Sequence, residues 1–280
     1  MEQHFLQIFL DSPYATNSPA SLLLLFFVGL CRIFPILAIT PFFGAKVLPH
    51  PVKAALGIAF FFLLLPHILV SSHKALEVNL QLFTYGIKEI LIGTVIGLIS
   101  TVPFFIAQTA GVFIDHQRGG TSLMVNDPII QNQDSPIGIM WNYILIVIFY
   151  AIDGPFIYIS IMMESYSALP IDGFFSPHFF AEGSPFWQQV TETVGAVVRI
   201  GIKIAAPALL TILMTDVFLG IANRLAPQVM ITFLGMPLKS LFGLGIITLG
   251  WFFLAHRLEV ELLAWLATLR KLVLTIGYGT

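Results

Sequence analysis

Charge is scarce in this 280-residue sequence: Asp, Glu, Lys and Arg make up only 10% of it, against 57% hydrophobic residues. A soluble domain carries about 25% charged residues. A soluble fold of this length has no interior large enough for so much apolar surface, so membrane insertion is the first inference. The mean hydropathy of +0.91 points the same way. Cysteine is nearly absent. Cys31 is the only one, which excludes an intramolecular disulfide and any multi-cysteine metal site. Within an apolar segment it is expected to pack rather than react. The net charge of −2 and the lack of any basic run exclude nucleic acid as a partner.

Catalytic signatures are missing too. No HExxH, GxSxG, P-loop or GxGxxG ahead of a helix occurs. The seven histidines, His4, His50, His67, His73, His116, His178 and His256, are scattered without ligand spacing. Asp115 and His116 are neighbours, but adjacency in sequence does not aim a carboxylate at an imidazole. The expectation is a protein that is not an enzyme and holds no metal or cofactor. The first eighteen residues have no positive n-region and no small-residue cleavage pattern, so a signal peptide is not expected. Residues 4–10 are apolar enough for a short interfacial helix.

What the sequence has in abundance is long apolar runs. Six are expected to be helical: Ala20 to Thr40, Ala54 to Val70, Gly86 to Ile114, Ile137 to Met163, Val194 to Ala222 and Val229 to Ala255. A seventh stretch, Arg257 to Ile276, differs in kind. Leu258, Leu262, Trp265, Leu266, Leu269 and Leu272 recur at three- and four-residue steps, with charged residues elsewhere, as in an amphipathic surface helix. The fold class expected is an all-α membrane protein. It forms one domain over 1–280, with an apolar helical core at 20–255 and the amphipathic helix at 257–276.

Almost every run is interrupted by proline, namely Pro35, Pro66, Pro103, Pro155 and Pro207. A helix-interior proline frees a carbonyl that hydrocarbon cannot satisfy. The third and fifth runs hold 29 residues each, ~43 Å at 1.5 Å per residue, against a hydrocarbon core of ~30 Å. Tilt, overhang or a break is required, and Pro103 and Pro207 stand where a break is expected. Orientation from charge is contradictory. Lys46 and Lys53, and again Arg224 and Lys239, mark cytoplasmic connections, while Glu164 to Glu192 holds four acids and no base. The basic C-terminal helix then falls on the wrong side for six full crossings.

Several runs also carry charges, each costing at least ~2.5–3.5 kcal/mol at the bilayer centre. Lys88 and Glu89 open the third run. As sequence neighbours they point about 100° apart on a helix, so they are expected to face different sides, either snorkelling at a helix end or pairing with other segments. Arg199 and Lys203 share one helix face and repel unless something anionic sits opposite. Asp216, thirteen residues beyond Lys203, lies nearly 20 Å further along the axis and cannot neutralise them in a straight helix. The connection from Asp115 to Pro136 is the most distinctive. Its Gly119–Gly120 pair permits backbone geometry closed to other residues. Polar side chains surround a small apolar patch of Leu123, Met124 and Val125. It reads either as an ordinary solvated loop or as a plugging loop shielded by protein.

Three stretches carry a resemblance. RIFPILAITPFFGAKVLPHPVKAALGIA (Arg32 to Ala59) is similar to the opening of the export-apparatus T subunit of type III secretion systems and its flagellar counterpart FliR. KEILIGTVIG (Lys88 to Gly97), GVFIDHQRGG (Gly111 to Gly120) and the Asn-Asp-Pro at 126–128 resemble that family's central signature. RLAPQVMITFLGMPLKSLFGL (Arg224 to Leu244) resembles its third block. The resemblance implies a non-enzymatic subunit of the export gate in the bacterial inner membrane. Its implied partners are R-type and S-type gate subunits, the U-type switch protein, membrane lipid and unfolded protein substrates in transit. The amphipathic tail tilts the expectation toward the injectisome. By position, the connection after the third run would close the pore, with Asp115, Gln117, Arg118, Gly119, Gly120, Leu123, Met124, Val125, Asp127 and Pro128 as candidates. Candidates for subunit contact or buried charge are Arg32, Lys88, Glu89, Arg199, Lys203, Asp216, Arg224, Pro227, Gln228 and Lys239. The alternative is a secondary transporter with a midplane site at Arg199, Lys203 and Asp216, although no internal repeat is visible.

Overall fold

The computed structural model describes residues 7, 10, 12–14, 19–44, 48–120, 135–175, 179, 184–225 and 231–278. Eight α-helices account for most of them: α1 (Pro19–Ile39), α2 (His50–Ser71), α3 (Leu80–Gln117), α4 (Pro136–Ala151), α5 (Gly154–Ala168), α6 (Pro185–Leu225), α7 (Ile231–Leu249) and α8 (Trp251–Tyr278). No β-strand occurs among the described residues. The protein is all-α. Four helices, α1, α2, α3 and α6, are long and apolar enough to cross a membrane, and up to six spans result if the bent pairs α4–α5 and α7–α8 each count as one.

The apolar runs predict these helices, with three physical differences. First, α3 and α6 have 38 and 41 residues and run through Pro103 and Pro207 without interruption, where a break was expected. A proline forfeits one backbone bond, whereas breaking the helix in hydrocarbon would strand several polar groups at several kcal/mol each. Pro35, Pro66 and Pro237 lie inside continuous helices in the same way. Second, the fourth run divides at Asp153, which adopts φ 58 in the left-handed region. Pro155 then occupies the first turn of α5, where its missing N–H costs nothing. Third, the sixth run ends at Leu249, and Trp251 to Ala255 join the C-terminal helix after Gly250.

Two compact units form. One comprises Met1–Thr101, Ile152–Glu192 and Ala264–Thr280. In it α1 and α2 cross by exchanging glycine for phenylalanine. A Cβ on Gly29 would lie 2.6 Å from the Phe61 ring, and one on Gly57 would lie 2.7 Å from Phe34. After α1 a 3-10 turn, Pro41–Phe43, is closed by Gly44 at φ 73. Both its phenylalanines are buried, with Phe42 edge-on to Tyr158 at 5.0 Å. In this unit α3 meets α1 along a stripe of small residues. A Cβ on Gly93 would stand 2.2 Å from the Arg32 carbonyl oxygen, and one on Gly97 would stand 3.4 Å from the Ile36 Cα. Backbones approach this closely only where glycine lines the crossing.

The other unit comprises Val102–Ala151 and Thr193–Leu263. Here α3 packs on α4 through facing glycines: a Cβ on Gly111 would stand 2.3 Å from the Gly138 nitrogen. The α6 helix buries Ile204, Ala205, Ala208, Ile212 and Thr215. Within the same unit, Gly201 of α6 faces Thr109 of α3, and Gly243 of α7 faces Ile212 of α6.

Candidate functional site

The glycine crossing of α1 on α3 brings charges together. Glu89 is one helical turn before Gly93 on the same face of α3, so Arg32 of α1 arrives directly over it. Both side chains are fully buried. Arg32 donates from Nε to Glu89 Oε2 at 2.5 Å and from Nη2 to Oε1 at 2.8 Å, a two-pronged pairing. Its remaining N–H groups reach the carbonyl of Ser165 at 2.8 Å, the Ser165 hydroxyl at 3.2 Å and the carbonyl of Leu169 at 2.8 Å. All five guanidinium donors are thereby used. The guanidinium also stacks 4.0 Å over the Tyr166 ring.

Lys88 joins this cluster, contrary to the expectation that it and Glu89 face different sides. Its four-carbon stem swings the ammonium round the helix to 2.9 Å from Glu89 Oε1. The same ammonium donates to the carbonyls of Pro170, Ile171 and Gly173 at 2.7, 2.9 and 2.9 Å. Arg32 and Lys88 (+2) against Glu89 (−1) leave a net +1 in the interior. The Leu169 to Gly173 carbonyls, at the negative end of the α5 dipole, face that surplus. A cluster so completely bonded ties α1, α3 and the end of α5 together. Removing one member would leave a buried charge uncompensated.

Beyond this cluster, Asp172 Oδ2 accepts the backbone N–H groups of His73 and Lys74, both at 2.8 Å. Tyr14, ahead of α1, donates to the Lys74 carbonyl at 3.2 Å. Burial pushes its hydroxyl pKa up to about 12.

In the second unit, Asp115 plays a corresponding part at the end of α3. It stands one turn beyond Gly111, the glycine that lets α4 close in, and is 1% exposed. Its Oδ2 accepts the Ser135 hydroxyl and the Ile137 N–H, the latter at 3.0 Å. Its Oδ1 accepts Arg118 Nε at 2.7 Å. Ser135 Oγ accepts the Gly138 N–H at 3.0 Å, which caps the start of α4. Gly119, at φ 84, ends the α3 region in the left-handed geometry that glycine supplies. Asp115 therefore fastens the two chain ends that flank residues 121–134. Gln117 and Gly120 are half-buried beside it. Leu123, Met124, Val125, Asp127 and Pro128 lie outside the described residues, as do Pro227 and Gln228.

Asp216 and Lys239 form an ion pair between α6 and α7. They border a cleft of about 310 Å³, also lined by Arg118, Gly119, Gly220, Asn223 and Gly235. Arg199, Lys203 and Arg224 are exposed. The three-charge transporter site is not assembled, because Lys239 already occupies the Asp216 carboxylate, ~20 Å along the axis from Lys203. Among the described residues, no group of three or more His, Cys, Asp and Glu could hold a metal ion. Sequence reasoning missed Ser135, Ser165, Tyr166 and the carbonyls of 169–173. The Ser-Pro at 135–136 carried a signal, since serine before proline marks a helix start. Nothing in the sequence pointed to Ser165 or Tyr166.

The comparisons with known proteins follow this arrangement. A family model described as bacterial export proteins, family 1, matches residues 23–264. The chain is 31% identical over 154 residues to the Yop proteins translocation protein T of Yersinia pestis, covering 55% of this chain and 57% of that one. It is 30% identical over 179 residues to the secretion system apparatus protein SsaT of Salmonella typhimurium, covering 62% and 65%. It is 26% identical over 263 residues to the flagellar biosynthetic protein FliR of Bacillus subtilis, covering 93% and 99%. The matched stretch thus spans less than two thirds of the first two relatives and almost all of the third.

Proposed function

The chain belongs to the bacterial export proteins, family 1, and from that premise we propose that it is a non-enzymatic subunit of the type III secretion export gate. With four to six apolar helical spans, it is a multi-pass protein of the bacterial inner membrane. The observation that carries the proposal is the family match over residues 23–264, which contains both buried charge clusters. Those clusters support a structural rather than a catalytic role. Arg32, Glu89, Lys88 and Asp115 are each engaged by several partners.

In this proposal R-type and S-type subunits pack beside the chain to form a pore, with the U-type switch protein nearby, and unfolded protein substrates pass through it. The connection after α3 is the plug. Leu123, Met124 and Val125 would seal it by dewetting, and the Asp115 bonds would hold both its roots. Two experiments test the scheme. Removing the gene for this chain abolishes type III secretion and the full chain restores it; undiminished secretion contradicts the function. Deleting residues 119–125 raises ion conductance through membranes holding the assembled gate, and unchanged conductance contradicts the plug.

A further inference from the structure

Two cations of the second unit share one cleft, and each already holds a carboxylate. Arg118 and Gly119, just past α3, line the cleft from one side, and Asp216, Gly220 and Asn223 of α6 with Lys239 of α7 line it from the other. Arg118 is seated on Asp115, and Lys239 on Asp216. Neither pairing is saturated. Arg118 spends both Nε and Nη2 on one oxygen, Asp115 Oδ1, at 2.7 and 2.5 Å. Among the described residues its other N–H groups have no partner. Lys239 meets Asp216 at Oδ1, and among the described residues Oδ2 accepts nothing. Arg32 is the contrast within the same chain, since its five donors are all used.

The space between the two carboxylates is open. A Cβ on Gly220 would meet no atom within 4 Å, and Gly119, at φ 84, turns the chain directly after Arg118. The guanidinium can swing across the cleft about its own side-chain bonds, and Asp216 is the acceptor there. That exchange deprives Asp115 of its cation. The carboxylate is 1% exposed and would keep only the Ser135 hydroxyl and the Ile137 N–H. A buried charge that loses its partner weakens the tie between α3 and α4. Lys239 opposes the exchange because it already covers Asp216.

We propose that Arg118 is a two-position latch, seated on Asp115 when the ends of α3 and α4 are fastened and on Asp216 when they are released. Lys239 sets the balance by competing for Asp216. The two seatings are a bistable element through which a change at α6 and α7 reaches the end of α3. The latch goes beyond the export-subunit reading and does not depend on it, so its readout is the fastening itself rather than secretion.

The test follows proteinase K cleavage within residues 115–138 of the full tagged chain, at a temperature below the thermal midpoint of every variant. K239M frees Asp216 for Arg118 and should raise the cleavage rate by up to about fivefold, the factor that a part-exposed pair can supply. D216N removes the second seat and should not raise it, and D216N/K239M should return to the D216N rate. D216S serves in its place if D216N does not accumulate. A purely structural Asp216–Lys239 pair gives another pattern, with cleavage raised in both single variants and in the double. That pattern overturns the latch, as does a K239M rate equal to wild type. Asp127 and Asp134 lie outside the described residues. If D127N or D134N cancels the K239M increase and D216N does not, the second seat is theirs and the latch to Asp216 is overturned.

Discussion

Replacing Glu89 by Gln tests the buried cluster with almost no change of shape. Glu89 Oε1 and Oε2 accept Arg32 from two sides and meet the Lys88 ammonium. A glutamine keeps one acceptor and turns an N–H₂ toward the other Arg32 donor. It also leaves Arg32 and Lys88 as two buried cations without an anion. Breaking a buried ion pair from one side costs about 3–5 kcal/mol, a large share of a typical 5–15 kcal/mol stability. At roughly 2–4 °C per kcal/mol for a chain of this size class, the midpoint of thermal aggregation in detergent extracts should fall by about 6–20 °C. The double variant Arg32→Met/Glu89→Leu removes the pair together, and apolar side chains of similar volume often replace such a pair at little cost. It should therefore be more stable than Glu89→Gln alone. A midpoint within about 1 °C of wild type for Glu89→Gln, given the same slope, would refute the reasoning. So would a double variant whose loss equals the sum of the two single losses.

Gly93→Ala should destabilise by about 1–3 kcal/mol or more, because its Cβ meets the Arg32 carbonyl at 2.2 Å and the helices must part. Gly86→Ala, with nothing within 4 Å, should be neutral or stabilising by up to about 1 kcal/mol from helix propensity; equal effects in the same aggregation assay would contradict the close crossing. Ser135→Ala should cost about 0.5–2 kcal/mol as a lost cap. Asp115→Ala should cost more, since Arg118, Ser135 and the Ile137 N–H all lose their acceptor. Protease sensitivity of the 115–138 region should rank the variants in that order. Lys239→Met should change stability by less than about 1 kcal/mol, because the Asp216–Lys239 pair is part-exposed at 36% and 24%. A larger loss would show that solvent does not screen it.

Apolar run length made most helices legible, because hydrocarbon leaves the backbone no alternative to internal hydrogen bonding. Their ends were less so. α6 begins at Pro185 rather than Val194 because FWQQVTET is helical but not apolar enough to extend the run. The shared face of Arg199 and Lys203 follows from four-residue spacing alone. The Lys88–Glu89 cluster was hidden because a long flexible side chain can cancel a 100° offset, and because its acceptors are carbonyls of a loop more than eighty residues away. The quoted GTVIG motif contained Gly93 and Gly97, yet only the crossing with α1 explains both. Asp216 and Lys239 are on different helices, and no spacing rule joins them.

The most direct test of the central claim, that this chain works only as a member of a larger export gate, is the intact mass of the complex it forms when gently extracted from the membrane. The account predicts a defined hetero-oligomer in which the chain is accompanied by R-type and S-type subunits. A monodisperse single chain that supports secretion without such partners would contradict it.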